Sequence, residues 1–226
     1  MNKLCALRYI GMCFSEEVSW TALGVSWTGC LALAWTGQRH WQVLAVLLAS
    51  VGGMQMWEAL LWRTPGCTAD NATLSGLGAV NNFVEPLVFW VAASWLLRAR
   101  SVGRARVAMG INAAYAVVFG ALTMEYLGRS LDRKCTVQGP SGSLVWQWNQ
   151  YGARNFLYVL FLAATVSTAA AYMPQGVDVG VIVAILGSFS ASAVMYRNDQ
   201  ALIGSMWCFL SAFLPWTFVL VAVDAA

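Results

Sequence analysis

Charged residues are scarce in this sequence. Asp, Glu, Lys and Arg make up 10% of its 226 residues, whereas hydrophobic residues make up 59%. Because a soluble domain averages about 25% charged residues, this composition indicates a chain whose main solvent is the lipid bilayer. The formal net charge is only +3, and no basic run suited to a phosphate backbone occurs. We therefore expect the bilayer, and no nucleic acid, among its partners.

Residues that hold metals and cofactors are also scarce. The chain has one histidine, His40, and its six cysteines occur singly, without a Cys-x-x-Cys pair. A zinc site built from Cys and His is therefore not expected, and a bis-histidine haem is excluded. The two lysines, Lys3 and Lys134, lie outside every long apolar stretch, so no buried amine is present for a retinal Schiff base. We predict no resident metal or cofactor.

Several sequence motifs that mark familiar protein classes are absent. No Walker sequence, Gly-x-Ser-x-Gly or His-Glu-x-x-His occurs in the chain. The Asp-Arg-Tyr and Asn-Pro-x-x-Tyr motifs of ordinary G-protein-coupled receptors are missing as well. The sequence leaves enzymatic activity undecided and favours a function without catalysis.

Long apolar stretches are abundant. Seven of them reach the length of about 20 residues that crosses a bilayer as a helix, and turn signals such as Thr64-Pro65-Gly66 separate them. Ser15, followed by Glu16 and Glu17, suits the N-terminus of the first helix. We predict an all-α, polytopic membrane protein that forms one seven-helix transmembrane bundle over residues 1–226. The predicted helices lie near residues 17–37, 41–63, 77–100, 105–127, 153–173, 177–196 and 201–223.

The distribution of arginine predicts the orientation of this bundle. The short loop between predicted helices 3 and 4 carries Arg98, Arg100, Arg104 and Arg106. Positively charged loops favour the cytoplasmic side, and an odd number of spans separates the two termini. We therefore expect the N-terminus outside and the C-terminus in the cytoplasm, although the outer loop with Arg129, Arg133 and Lys134 weighs against this orientation.

Two outer loops contain features of an oxidising compartment. Cys67 and Cys135 fall in loops on the same predicted face, so they could form a disulfide, and two unpaired cysteines are the alternative. Asn71-Ala72-Thr73 is a glycosylation sequon in the first of these loops.

Polar side chains enter the predicted helices near the outer face. A charged group at mid-bilayer costs a few kcal/mol, so we expect Glu58, Glu85 and Glu125 each to have a functional or structural role that offsets this cost. Helical spacing places Gln55 on the same face as Glu58. We expect these groups to meet at one depth and to line a cavity that opens to the outer face. The candidate ligand-binding residues are Gln55, Glu58, Asn81, Asn82, Glu85, Glu125, Arg154, Ser205 and Cys208.

A structural interpretation of the same residues stays open. Glutamates near helix ends can extend to the interface, and Glu125 is close enough to an end to do so. Arg154 could pair with Glu58 or Glu125 as a tie between helices.

Four short motifs together resemble a known family. They are Met12-Cys13-Phe14-Ser15, Met54-Gln55 with Glu58 and Trp62, Trp146-x-Trp148, and Gly204-Ser205-x-Trp207-Cys208 with Pro215. The chain resembles an uncharacterised family of small seven-helix membrane proteins that begin Met-Cys-Phe-Ser and occur in bacteria, algae and large DNA viruses. The resemblance implies a fold and no activity. Eleven residues precede the motif here, so Met1 and Met12 are both candidate starts.

Three functions fit these features, and the sequence does not identify a ligand. In the first, the protein binds or transports a small polar solute or a cation, protons included, through the cavity. In the second, it is a structural or receptor-like component that recognises a partner through the outer loop with Trp146-Gln147-Trp148. In the third, a pair of carboxylates modifies a lipid within the membrane. We expect the first function, and association into homo-oligomers is left open.

Overall fold

The computed structural model describes residues 15–139, 143–150, 154–195 and 203–224, and it gives the backbone alone for residues 149–150, 154–155 and 203–205. Eight α-helices occur in the described residues. They are α1 (Glu16–Trp35), α2 (Arg39–Arg63), α3 (Ala69–Leu96), α4 (Val102–Leu127), α5 (Arg154–Tyr172), α6 (Val177–Met195), α7 (Ile203–Ser211) and α8 (Leu214–Asp224). The connection between α4 and α5 contains a 3-10 turn (Leu131–Arg133), an antiparallel pair of short strands, β1 (Val137–Gln138) and β2 (Leu144–Val145), and a second 3-10 turn (Gln147–Gln150).

Five helical segments are long and apolar enough to cross a membrane. They are Arg39–Arg63, Ala69–Leu96, Val102–Leu127, Val177–Met195 and Met206–Asp224. α5 is apolar but shorter, with Phe156–Tyr172 as its apolar part. α1 is not among the five, because Ser, Thr and Trp residues interrupt its 20 residues. The prediction of a helical, multi-pass membrane protein is confirmed.

Hydroxyl side chains define where three of the helices begin. Ser15, Thr68 and Ser101 precede α1, α3 and α4, and each accepts a hydrogen bond from a backbone N–H in the first turn. Such caps satisfy donors that the helix itself leaves unpaired. The start predicted for the first helix at Ser15 is thus confirmed.

α3 extends well beyond its predicted bounds. It begins at Ala69, eight residues before the expected start at 77, and ends at Leu96 rather than 100. The first two turns contain Asp70, Asn71 and Thr73, which a search for apolar stretches passes over. The Thr68 cap and contacts with the α4–α5 connection stabilise these polar turns.

The last predicted helix, 201–223, is two helices. α7 ends at Ser211 and α8 begins at Leu214, with a turn at residues 212–213 between them. Pro215 explains the break, because a proline has no N–H to donate to the carbonyl four residues earlier. Gly29 of α1 lies directly against this break, and a Cβ on Gly29 would be 2.8 Å from Pro215 Cβ. α1 therefore packs against the second half of the predicted last helix.

The bundle has two chemically different ends. At one end, which we call the disulfide end, Glu16 of α1 pairs with Arg63 of α2, and Cys67 is bonded to Cys135. The opposite end, which we call the arginine end, carries the α3–α4 loop. There Arg100 forms an ion pair with Asp178 at the start of α6, and its backbone N–H donates to Ala171 O at 2.8 Å. These contacts join the α3–α4 loop to the end of α5 and the start of α6.

The surface of the bundle suits a bilayer. Val117 on α4 is 73% exposed and Val194 on α6 is 71% exposed, and both lie within apolar helices. Trp35 and Trp95, at the arginine-end tips of α1 and α3, are almost fully exposed. Trp side chains favour the interface between lipid and water, so these two residues mark that level.

Candidate ligand site in the bundle core

α2 lies in the core of the bundle and carries the first polar residues of the candidate site. It packs against α1, α3, α7 and α8. Gln55 is 0% exposed, and neither its Oε1 nor its Nε2 has a hydrogen-bond partner among the described residues. Glu58 follows three residues later, on the same helical face, and is buried as well. An amide buried without partners is costly, so packing alone does not explain Gln55.

α3 carries the second set of polar residues, just before its internal proline, Pro86. Asn82 and Glu85 are each 1% exposed. Asn82 Nδ2 and Glu85 Oε1 have no hydrogen-bond partner in the described part of the chain. Glu85 lies within electrostatic reach of Tyr115 on α4, whose hydroxyl donates to Phe83 O at 2.6 Å.

Cys208 of α7 connects these two sets. Its thiol donates to Asn82 Oδ1 across a distance of 3.9 Å. The carboxyl groups of Glu58 and Glu85 both lie within electrostatic reach of its sulfur. The sequence therefore folds so that α2, α3 and α7 each contribute to one group. We call Gln55, Glu58, Asn82, Glu85 and Cys208 the polar column.

The register between α2 and α3 shows how the column is arranged. A Cβ on Gly78 would lie 3.5 Å from Trp57 Cβ, so Trp57 and Gly78 are level. Glu58 is then level with residue 77, and Glu85 is eight residues farther along α3, or about 12 Å at a rise of 1.5 Å per residue. The expectation that these groups share one depth is wrong. The physical reason is the early start of α3, which places Glu85 near the middle of that helix.

Trp146 closes the column at the disulfide end. It is 1% exposed, and its indole Nε1 donates to Glu58 Oε1 at 3.4 Å. Its ring lies against Gly78, where a Cβ would be 2.6 Å from two ring carbons. Trp148 is also buried, with its ring 5.1 Å from that of Phe83. The second hypothesis from the sequence placed both tryptophans on a partner-binding outer loop. In the structure both side chains are buried, and Trp148 lines an apolar groove between α3 and α4.

A network on α3 anchors the connection that carries Trp146. Asn71 Oδ1 accepts from the Thr136 N–H at 2.9 Å, and Asn71 Nδ2 donates to the carbonyl oxygens of Thr136 and Thr64. Ser75 Oγ accepts from the same Thr136 N–H at 2.8 Å. Cys135, next in the chain, is bonded to Cys67. Covalent and hydrogen bonds thus converge on the segment that leads to Trp146.

The position of Asn71 conflicts with its interpretation as a glycosylation site. The residue lies in the first turn of α3 and is 1% exposed. Both N–H groups of its amide are occupied by carbonyl oxygens. A glycan on Nδ2 would break these bonds, so the sequon prediction is not compatible with this fold.

Replacing both Cys67 and Cys135 by alanine is expected to lower stability by about 2–4 kcal/mol, because the bond closes a loop with a sequence separation of 68. The Asn71 network remains in this variant, so the protein should still fold. Thermal unfolding in detergent, with and without reductant, measures the effect. Cys30→Ala, which removes a buried free thiol, is the control. An unchanged melting temperature in the double variant contradicts the prediction.

Two predicted ligand residues lie apart from the polar column. Glu125 has a side chain that is 57% exposed and pairs with Arg129 four residues later, with Arg129 Nη2 at 2.7 Å from Oε1. Asn81 Nδ2 donates to Ser50 O at 2.9 Å, which makes Asn81 a tie between α3 and α2. The side chains of Arg154 and Ser205 lie outside the described residues, as does Cys13.

Sequence reasoning missed the contribution of Trp146. No local pattern indicates that an aromatic residue in a loop reaches Glu58, which lies 88 positions away in the chain. The pairing of Glu125 with Arg129 could have been predicted from the sequence, because an acidic and a basic residue spaced i, i+4 on a helix commonly pair.

The described residues hold no group of three or more His, Cys, Asp or Glu side chains that could bind a metal ion. Comparison with models of protein families, with curated proteins and with solved structures finds no match to this chain. The resemblance to the Met-Cys-Phe-Ser family therefore stays a prediction, and the chemistry of the polar column carries the functional argument.

Proposed function

We propose that this protein binds a small polar solute or a cation, protons included, at the polar column and moves it across the membrane. The observation that carries the proposal is the set of buried polar atoms without partners. Gln55 contributes two such atoms, and Asn82 and Glu85 contribute one each. Buried polar groups are almost always hydrogen-bonded, so four unpaired atoms on α2 and α3 of the bundle core support the binding of a polar ligand there.

The break between α7 and α8 supports movement as well as binding. Discontinuous helices recur in membrane transporters, where they place backbone groups at the ligand. The break at residues 212–213 follows Cys208 by one turn. Trp146 covers the other side of the column, so a ligand that enters from the disulfide end must displace it.

We also propose that the chain crosses the membrane seven times, with the disulfide end outside. α1 and α5 complete seven spans, together with the five helical segments that meet the length and composition of a transmembrane helix. The disulfide end faces outward, because the arginine end carries Arg98, Arg104 and Arg106 and positive loops favour the cytoplasm.

Flux through purified protein in liposomes tests the function. We expect Glu85→Gln to reduce the flux of protons or of a monovalent cation by roughly tenfold or more, because hydrogen bonds to a charged group contribute about 1.5–3 kcal/mol. The variant keeps the shape of the side chain, so the fold should persist. A pH-sensitive dye inside the liposomes reports protons, and isotope uptake reports the cation.

The matched control is Glu17→Gln, which removes the same charge at an exposed position at the start of α1. Its flux should equal that of the wild type. Equal flux in Glu85→Gln, with the wild type active, would sink the proposal, as would the absence of ligand-dependent flux or binding in the wild type.

A further inference from the structure

A groove runs along the outside of the bundle between α3 and α4. Its deep part lies between Ala79 and Phe83 of α3 and Phe119 and Leu122 of α4. Gly76, Val80, Tyr126 and Leu127 line both this part and a second, outer part, so the two parts are continuous. The groove shares no residue with the polar column. Its walls are mostly apolar, and the polar side chains that line it are those of Thr73, Thr123, Glu125, Tyr126, Arg129 and Lys134.

The two ends of the groove are chemically different. At its floor lies Phe83, whose backbone O accepts a hydrogen bond from Tyr115 OH at 2.6 Å, and this bond holds α4 against α3. At its outer end lies Lys134, whose ammonium donates to Leu127 O at 3.1 Å. Two further N–H donors of Lys134 have no acceptor in the part of the chain that the structure describes. Arg129, also at this end, is neutralised by Glu125. Of the described residues that line the groove, Lys134 is therefore the one cation without an ion pair.

The length of the groove corresponds to one leaflet of a bilayer. From Ala69 at its outer end to Phe83 at its floor are 14 residues of helix, or about 21 Å. Half of a bilayer, headgroups included, is about 20–22 Å thick. The floor lies at the midpoint of α3, and the cation lies at the level of the headgroups. An apolar slot with this depth and a single cation at its rim matches a phospholipid in size and in charge.

We propose that the α3–α4 groove is a binding site for one anionic phospholipid of the leaflet at the disulfide end. One acyl chain occupies the slot above Phe83, and the phosphate accepts hydrogen bonds from Lys134. Gly76 and Ala79 leave the room for the chain, because larger residues at these positions would fill the slot. The site is distinct from the proposed transport function.

The test uses the full chain in nanodiscs that contain equal amounts of phosphatidylglycerol and phosphatidylcholine. Native mass spectrometry measures the lipids that remain on the released protein. We expect the wild type to keep one phospholipid, with phosphatidylglycerol preferred, and Gly76→Phe to lose it. A Cβ at position 76 would meet Tyr126 at 3.8 Å, an ordinary contact, so the backbone accepts a side chain there.

Two matched controls make the result specific. Gly120→Phe adds the same ring to an exposed position of α4 that has nothing within 4 Å, outside the groove, and it should keep the lipid. Lys134→Gln should reduce the preference for phosphatidylglycerol by about fivefold, because one lysine near anionic headgroups contributes about 1 kcal/mol. Arg133→Gln, at the adjacent exposed position, should leave the preference unchanged.

Several outcomes would overturn the proposal. They are a wild type that keeps no lipid, a Gly76→Phe variant that keeps as much as the wild type, and equal preferences in Lys134→Gln and Arg133→Gln. Release of the wild type as a dimer that Gly76→Phe converts to a monomer would instead assign the groove to a second copy of the chain. If Gly76→Phe does not fold, the lysine and arginine variants still decide whether the rim binds an anionic headgroup.

Discussion

Asn71→Leu is expected to lower the free energy of unfolding by about 3–5 kcal/mol. The side chain makes hydrogen bonds to Thr136 N–H, Thr136 O and Thr64 O, and leucine of similar size makes none of them. The cost arises from the backbone groups left behind, since a buried carbonyl without a donor loses about 1–3 kcal/mol. Trp146 should then be held less firmly against Glu58, because only the hydrogen bonds of Ser75 to Thr136 and the disulfide at Cys135 still anchor the segment before it.

Thermal unfolding in detergent measures the loss of stability, and Trp fluorescence reports the exposure of Trp146. The control is Thr73→Ala, which also destroys the sequon but makes only one exposed hydrogen bond, within its own helix. It should change stability by less than about 1 kcal/mol. If both variants were equally stable, the anchoring network would not hold the connection.

Gln55→Met is expected to raise the stability of the protein, whereas Asn71→Leu lowers it. Methionine has a similar volume and no polar atoms, so it removes two buried groups that have no partner among the described residues. The free energy of unfolding should rise by about 1–3 kcal/mol, while ligand binding or flux falls to the background level. A variant that is more stable and inactive is the signature of a residue kept for function.

The control for this variant is Asn112→Leu, another fully buried amide. Asn112 Nδ2 donates to Thr168 Oγ1 at 3.1 Å and to Ala108 O, so its loss should destabilise the packing of α4 against α5. Melting temperatures and flux in liposomes measure both variants. If Gln55→Met is destabilised like Asn112→Leu, the structural interpretation of the polar column replaces the functional one.

The contrast between Glu85 and Glu125 shows where sequence reasoning succeeds and fails at the site. Both are carboxylates within apolar helices, and the cost of buried charge makes both candidates. Glu85 is buried without a partner for Oε1, whereas Glu125 is exposed and paired with Arg129. Burial depends on which helices surround a residue, and composition does not contain that information.

The apolar parts of the helices and the membrane setting of the protein were determined by the sequence itself, because the bilayer acts locally. Each span must be apolar and must satisfy its own backbone, so about 20 residues are enough to recognise it. Pro215 at the start of α8 and the hydroxyl caps at the starts of α1, α3 and α4 act over the same short range.

The arrangement of the polar column and its closure were decided by the tertiary structure alone. The early start of α3 sets the depth of Glu85, and it depends on contacts between Asn71 and Thr136, 65 positions apart. Trp146 reaches Glu58 only because Gly78 lets an indole ring pack against the α3 backbone. Such contacts depend on the register between helices, and register is fixed by packing across the whole bundle rather than by any local stretch of residues.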